Sequence, residues 1–235
     1  MSLNNYAPDN SGNQFLSKVY MWMFVGMLIT AVAAYGILSS ASLRQTFLEN
    51  SIVYLGLLVV NLIVVIILSW KINSLSPQMA AAAFIFYSLV SGITLAPTLW
   101  VYTQASIFIV FLITAGMFVG MSLVGYFIKK DLSGMGRFFL MALIGLILAS
   151  LVNIILYLIS PSSAVIMDFI LSVAAVLIFA GLTAYDTQKI KKIGQSIEYG
   201  APYSQNLAII CALNLYLDFI NLFLNLLRIF GNRNN

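Results

Sequence analysis

The sequence predicts an all-α polytopic membrane protein of seven transmembrane helices, and three observations carry that prediction. Of 235 residues, 62% are hydrophobic and only 8% charged. The mean hydropathy is +1.01, and the apolar residues gather into long uninterrupted runs. A soluble domain carries about a quarter charged residues because its surface faces water. A chain this poor in charge must present apolar surface to lipid.

The runs are Val19–Ser39, Ile52–Trp70, Met79–Tyr102, Ser106–Ile128, Phe138–Ile159, Ala164–Tyr185 and Leu207–Phe230. Each approaches or exceeds the roughly 20 residues that cross a bilayer as helix. Polar separators divide them: Ser40–Ser51 with Arg44 and Glu49, Lys71–Gln78 with Pro77, Lys129–Arg137 with two glycines, Ser160–Ser163, and a long Thr187–Asn206 connection. Only Thr103–Ala105 parts the third span from the fourth. Residues 1–17 read as a polar, mobile cytoplasmic tail, 18–231 as the transmembrane domain and 232–235 as a polar end. The first run is too long for a signal peptide and has only Lys18 as a basic flank.

Basic residues set the topology. One side of the seven-span reading holds Lys18, Lys71, Lys129, Lys130, Arg137, Lys189, Lys191 and Lys192; the other holds Arg44, Arg228 and Arg233. Excess Lys and Arg favours the cytoplasm, so the amino terminus is expected inside and the carboxyl terminus outside. Charges scattered over short loops form no nucleic-acid patch; they suit anionic headgroups of the bilayer. The lone Cys211 excludes an internal disulfide. The absence of histidine removes Ser-His-Asp triads, most zinc sites and histidine proton relays. Small residues at Gly116 and Gly120 permit close helix approach, and Gly92 and Pro97 could loosen or kink the third span.

The acidic residues carry the chemistry. Asp9, Glu49, Asp131 and Glu198 fall in loops or the tail, and Asp168 near the outer start of the sixth span, leaving Asp186 and Asp218. Around Asp218, polar residues recur as Asn214, Asn221, Asn225 and Arg228. At about 100° per residue they share a wedge of roughly 80°. Such a stripe cannot face lipid, where a central acid costs at least about 2.5 kcal/mol. It faces other helices or a water-filled cavity, as interhelical glue or as a functional surface. Asp186, beside Lys189 at the cytoplasmic end of the sixth span, reads alone as interfacial. If it meets Asp218, the two carboxyls compete for one negative charge, and a shared proton becomes a latch that deprotonation breaks. Counted along the helices, Asp218 lies about 15 Å beyond Leu207, so contact requires a low or tilted seventh span, or entering water.

Around these residues the chain resembles the Bax inhibitor family, or transmembrane Bax inhibitor motif proteins. The specific stretches are Gly181-Leu182-Thr183-Ala184-Tyr185-Asp186-Thr187-Gln188-Lys189 and Leu215-Tyr216-Leu217-Asp218-Phe219-Ile220-Asn221-Leu222-Phe223. Gly92–Pro97, Thr114–Phe118 and Lys130–Gly134 support it. The short tail and the closing Leu227–Asn232 look most like a bacterial inner-membrane branch. The resemblance implies seven helices with the last one central, and a pH-sensitive calcium leak sensed by two aspartates, which fall on Asp186 and Asp218. It also implies an arginine latch in the second span, where this chain has Asn61 and no arginine. Suppression of cell death, linked to eukaryotic relatives, need not transfer.

The expected function is therefore a calcium leak switched by protons, without catalytic residues or cofactor. Calcium, as the permeant ion, would meet Asp186 and Asp218 weakly, with amide oxygens of Asn214, Asn221 or Asn225. Two alternatives stand beside it. A non-conducting regulator could dock a membrane protein on the 187–206 connection. An intramembrane aspartyl protease could use the two acids, although Asp218 lacks the Gly-x-Gly approach of that class.

Overall fold

The computed structural model describes residues 8–47, 50–71, 75–196 and 202–234. Among them the chain forms α1 (Pro8–Ser39), α2 (Ala41–Phe47), α3 (Ser51–Lys71), α4 (Pro77–Trp100), α5 (Gln104–Phe127), α6 (Met135–Ile159), α7 (Pro161–Ser196) and α8 (Pro202–Phe230). All but the short α2 are long and apolar enough to span a membrane. The expected break between the third and fourth spans falls where Thr103 caps α5, its hydroxyl accepting from the Ser106 N–H at 3.2 Å. The chain divides into two compact units, Met1–Val101 with Ile190–Tyr216, and Tyr102–Lys189 with Leu217–Asn235. α8 is the most heavily buried span.

In the first unit, α1 and α3 pack on α4. Helix α1 begins at Pro8, so residues 8–17, expected as tail, are helical; residues 1–7 lie outside the described residues. Proline suits a first helical turn, where its missing N–H costs nothing. Phe15 and Val19, one turn apart, are fully buried, and Phe15 Cβ abuts Gly194 near the end of α7. That same packing overturns the expected 187–206 connection. Helix α7 continues to Ser196 because Thr187, Gln188, Ile190 and Gly194 are buried while Lys189 and Lys192 face outward. A docking loop for a partner protein loses its first ten residues to this helix. The lysines that read as loop are the wet face of an amphipathic extension.

The Ser40–Ser51 separator also contains a helix. α2 has no buried residue, and Arg44 hydrogen-bonds the Leu38 carbonyl while its guanidinium lies 4.8 Å from the Trp100 ring centre. Gly92 does not break α4. It lies against the Thr30 carbonyl oxygen of α1, where a methyl group would overlap, and the helix runs on through Pro97 to Trp100.

A buried hydroxyl network ties the unit together. Thr30 Oγ1 donates to the Ser88 carbonyl at 2.8 Å, so the Tyr216 hydroxyl, also 2.8 Å away, donates to Thr30. Asn61 Nδ2 donates to Ser91 Oγ at 2.8 Å, and Ser91 in turn reaches Tyr216. Phe84 and Tyr87 meet the Tyr216 ring edge-on at 6.1 and 5.9 Å. Tyr216→Phe keeps the rings and removes the hydroxyl. It is expected to cost about 0.5–1.5 kcal/mol in thermal unfolding, and Thr30→Val should add little to that loss.

In the second unit, aromatic side chains join α5 to the last turns of α8: Phe219 lies 5.6 Å from Phe111 and 5.5 Å from Phe118. Gln188 anchors the α5–α6 loop, accepting from the Leu132 N–H at 2.8 Å and donating to the Lys130 carbonyl at 2.9 Å. The close approach that Gly116 and Gly120 permit is not used, for among the described residues no atom beyond their own stretch of helix lies within 4 Å of a Cβ at either. Close packing falls on Gly125, on the face of α5 that buries Val110, Thr114, Phe118 and Ser122. Gly116 and Gly120 lie off that face.

Candidate functional site

Both candidate aspartates belong to the second unit. Asp186 stands on α7, ten residues before its end at Ser196, or about 15 Å along the axis. It is therefore interior to its helix rather than at its end. Asp186 is 8% exposed and Asp218 5%. The two carboxyls lie within electrostatic reach of each other. Asp218 Oδ2 is buried without a hydrogen-bond partner among the described residues.

Local sequence explains how the acids stay buried. Leu215, Phe219, Leu222 and Phe223 flank Asp218 on α8 and are themselves buried. On α7 the small residue Ala184 lets α5 approach. A methyl on Gly125 would overlap the Ala184 carbonyl oxygen, two residues before Asp186. Lys189, one turn beyond Asp186, acts on its charge and lies 5.9 Å from the centre of the Tyr185 ring.

The asparagine stripe divides. Asn214 is half-buried and belongs to the first unit; Asn221 and Asn225 belong to the second. Asn221 donates to the Leu217 carbonyl and Asn225 to the Asn221 carbonyl, both at 2.8 Å. These are bonds within α8, so the two amide NH2 groups do not act as interhelical glue. Their Oδ1 atoms remain as acceptors on the face that carries Asp218. Asn61, standing where the family's arginine latch was sought, hydrogen-bonds Ser91 in the first unit.

Sequence reasoning missed Gly125 and the contact it makes with Ala184. Buried positions 110, 114, 118, 122 and 125 form one helical face of α5, and that spacing was readable. Gly116 and Gly120 match a small-residue motif but stand off that face.

Chemically, the arrangement places two acids in a poor solvent with too few counter-charges for both to ionise at ease. Among the described residues, no group of three or more His, Cys, Asp and Glu side chains is placed to hold a metal. Two carboxyls fall short of the roughly six to eight oxygens of a resident calcium site. They suit a proton, or an ion in passage.

A family model described as "Inhibitor of apoptosis-promoting Bax1" matches residues 12–235. The chain belongs to the Bax inhibitor family. The inner membrane protein YbhL of Escherichia coli (strain K12) is 46% identical over 220 residues, covering 93% of this chain and 92% of the relative. A protein of Borreliella burgdorferi is 40% identical over 223 residues, 95% of this chain and 94% of the relative. A membrane protein of Streptococcus pyogenes serotype M6 is 35% identical over 229 residues, 96% of each. The matched region of this family member takes in α2 to α8 whole, together with both aspartates.

Proposed function

We propose that this family member resides in a bacterial inner membrane, amino terminus in the cytoplasm and carboxyl terminus outside, and passes calcium down its gradient under proton control. The observation that carries this reading is the buried Asp186–Asp218 pair, one of whose oxygens has no partner among the described residues. A pair that shares a proton holds α7 and α8 together. Loss of that proton leaves two like charges in low dielectric, and their repulsion separates the helices and admits water and ions. Calcium then meets the two carboxylates and the amide oxygens of Asn221 and Asn225 without a binding cage, which suits leak rather than storage. The YbhL name supports the membrane, and the Lys and Arg distribution supports the orientation.

No catalytic role is assigned in this reading, since Asp218 is approached by Leu-Tyr-Leu and not by the Gly-x-Gly of intramembrane aspartyl proteases. The regulator reading depended most on a long connection, of which residues 187–196 are packed helix. Calcium flux into dye-loaded proteoliposomes over a pH series tests the proposal. Wild-type flux is expected to rise as the medium becomes alkaline. Asp186→Asn and Asp218→Asn should each flatten that rise. Unaltered flux and pH response in both variants would falsify the switch.

A further inference from the structure

Away from the aspartate pair, one cavity of the second unit combines charge with lipid-facing surface. Its volume is about 480 Å³, and it lies where α6 ends and α7 begins. Asp168 and Arg233 contribute opposite charges to its wall, and Asn153 and Tyr157 contribute an amide and a phenol. Asn153 Oδ1 is buried without a hydrogen-bond partner among the described residues. On the apolar flank stand Leu158 and Val165, 82% and 64% exposed. In a bilayer such side chains meet hydrocarbon.

Arg233 does not hang free at the chain end. The Thr103 N–H donates to the Asn232 carbonyl and the Asn232 N–H to Ser106 Oγ, both at 2.9 Å. Asn234 Nδ2 donates to the Tyr102 carbonyl at 3.1 Å. This strap fixes the backbone on both sides of Arg233, which itself bridges to Tyr102. Asp168 faces Arg228 at 3.7 Å, with the two side chains 45% and 47% exposed. An ion pair so long and so exposed is weak, and the carboxylate keeps lone pairs for another cation.

We propose that this cavity binds a phospholipid whose headgroup carries both a phosphate and a primary ammonium. The phosphate lies on Arg233, whose planar donors match it; the ammonium lies on Asp168, and the acyl chains run along Leu158 and Val165. Charge complementarity selects this occupant. A purely anionic headgroup would set its charge against Asp168, and a quaternary ammonium has no N–H to donate to that carboxylate. The apolar flank selects a lipid over a soluble zwitterion of the same chemistry.

Native mass spectrometry of the full chain in a non-ionic detergent tests this independently of ion flux. Phosphatidylethanolamine, phosphatidylcholine and phosphatidylglycerol of matched acyl chains are titrated, along with chain-free glycerophosphoethanolamine. Phosphatidylethanolamine is expected to be retained about tenfold more tightly than the other two, as one charge-assisted hydrogen bond would give. Asp168→Asn should erase that preference, and Arg233→Gln should weaken all three lipids. Arg233 is exposed and Asp168 half-exposed, and an unchanged melting temperature certifies the fold of each variant. Equal retention of the three lipids overturns the proposal. So does wild-type retention of phosphatidylethanolamine by either variant, or binding of glycerophosphoethanolamine as tight as that of the lipid.

Discussion

Asp218→Asn is expected to raise thermal stability at alkaline pH and to remove most of its dependence on pH. In the wild type, full deprotonation places two negative charges in one buried site. Two unit charges about 4 Å apart repel by about 4 kcal/mol at an effective dielectric constant of about 20. The amide keeps the shape of the acid and cannot carry charge. A gain on the order of 1–3 kcal/mol follows at alkaline pH, where the repulsion is present. On the acidic side the pair holds its proton, the repulsion is absent, and variant and wild type should converge.

Lys189 refines the expectation. Its ammonium acts on Asp186, so of the two carboxyls Asp186 has this counter-charge beside it. Asp186→Asn should therefore stabilise less than Asp218→Asn, because it also removes the partner of Lys189. In the double variant the two gains should fall well short of additive. Melting followed by tryptophan fluorescence across a pH series reads all four proteins. Parallel pH profiles for wild type and Asp218→Asn would show that the two acids do not share a charge.

Gly125→Val is expected to give the second large effect, at the contact that brings α5 against α7. Any side chain there meets the Ala184 carbonyl oxygen, and backbone cannot swing aside as a flexible side chain does. Overpacking of this kind costs about 1–3 kcal/mol, or a melting temperature lower by on the order of 5 °C in a chain of this size. Gly125 presses on the backbone two residues before Asp186, so under the proposed leak Gly125→Val should also raise calcium flux at acidic pH. Gly120→Val is the control on the same helix, with open space at its Cβ. It should melt and conduct like the wild type. Equal behaviour of the two valine variants would mean that α5 does not press on α7 at this point.

These residues also mark how far one-dimensional reading reaches. The spans were legible because each is a long apolar run, and the cost of unpaired backbone groups in lipid allows such a run little but helix. Asp218 and its stripe were legible because five polar residues at helical spacing stand out on an apolar helix. Asp186 as its partner was a conditional reading, made sharper by the family resemblance. The extent of α7 was misread: three lysines resemble a loop until Thr187, Gln188, Ile190 and Gly194 are seen buried behind them. The start of α1 was misread for the same reason, since Phe15 looks isolated until Gly194 is placed against it.

Composition and hydropathic run length alone determined that this protein is a bundle of membrane-spanning helices bearing two acids that need an explanation. Those properties depend on each residue and its near neighbours in the chain. Only the tertiary structure decided that Gly125 rather than Gly120 is the close contact, that Asn221 and Asn225 bond within their own helix, and that Asp186 and Asp218 are buried within reach of each other. Such facts depend on which face of one helix meets which face of another. That choice is set by side-chain fit between residues as far apart as Gly125 and Ala184, which local spacing can narrow but not fix.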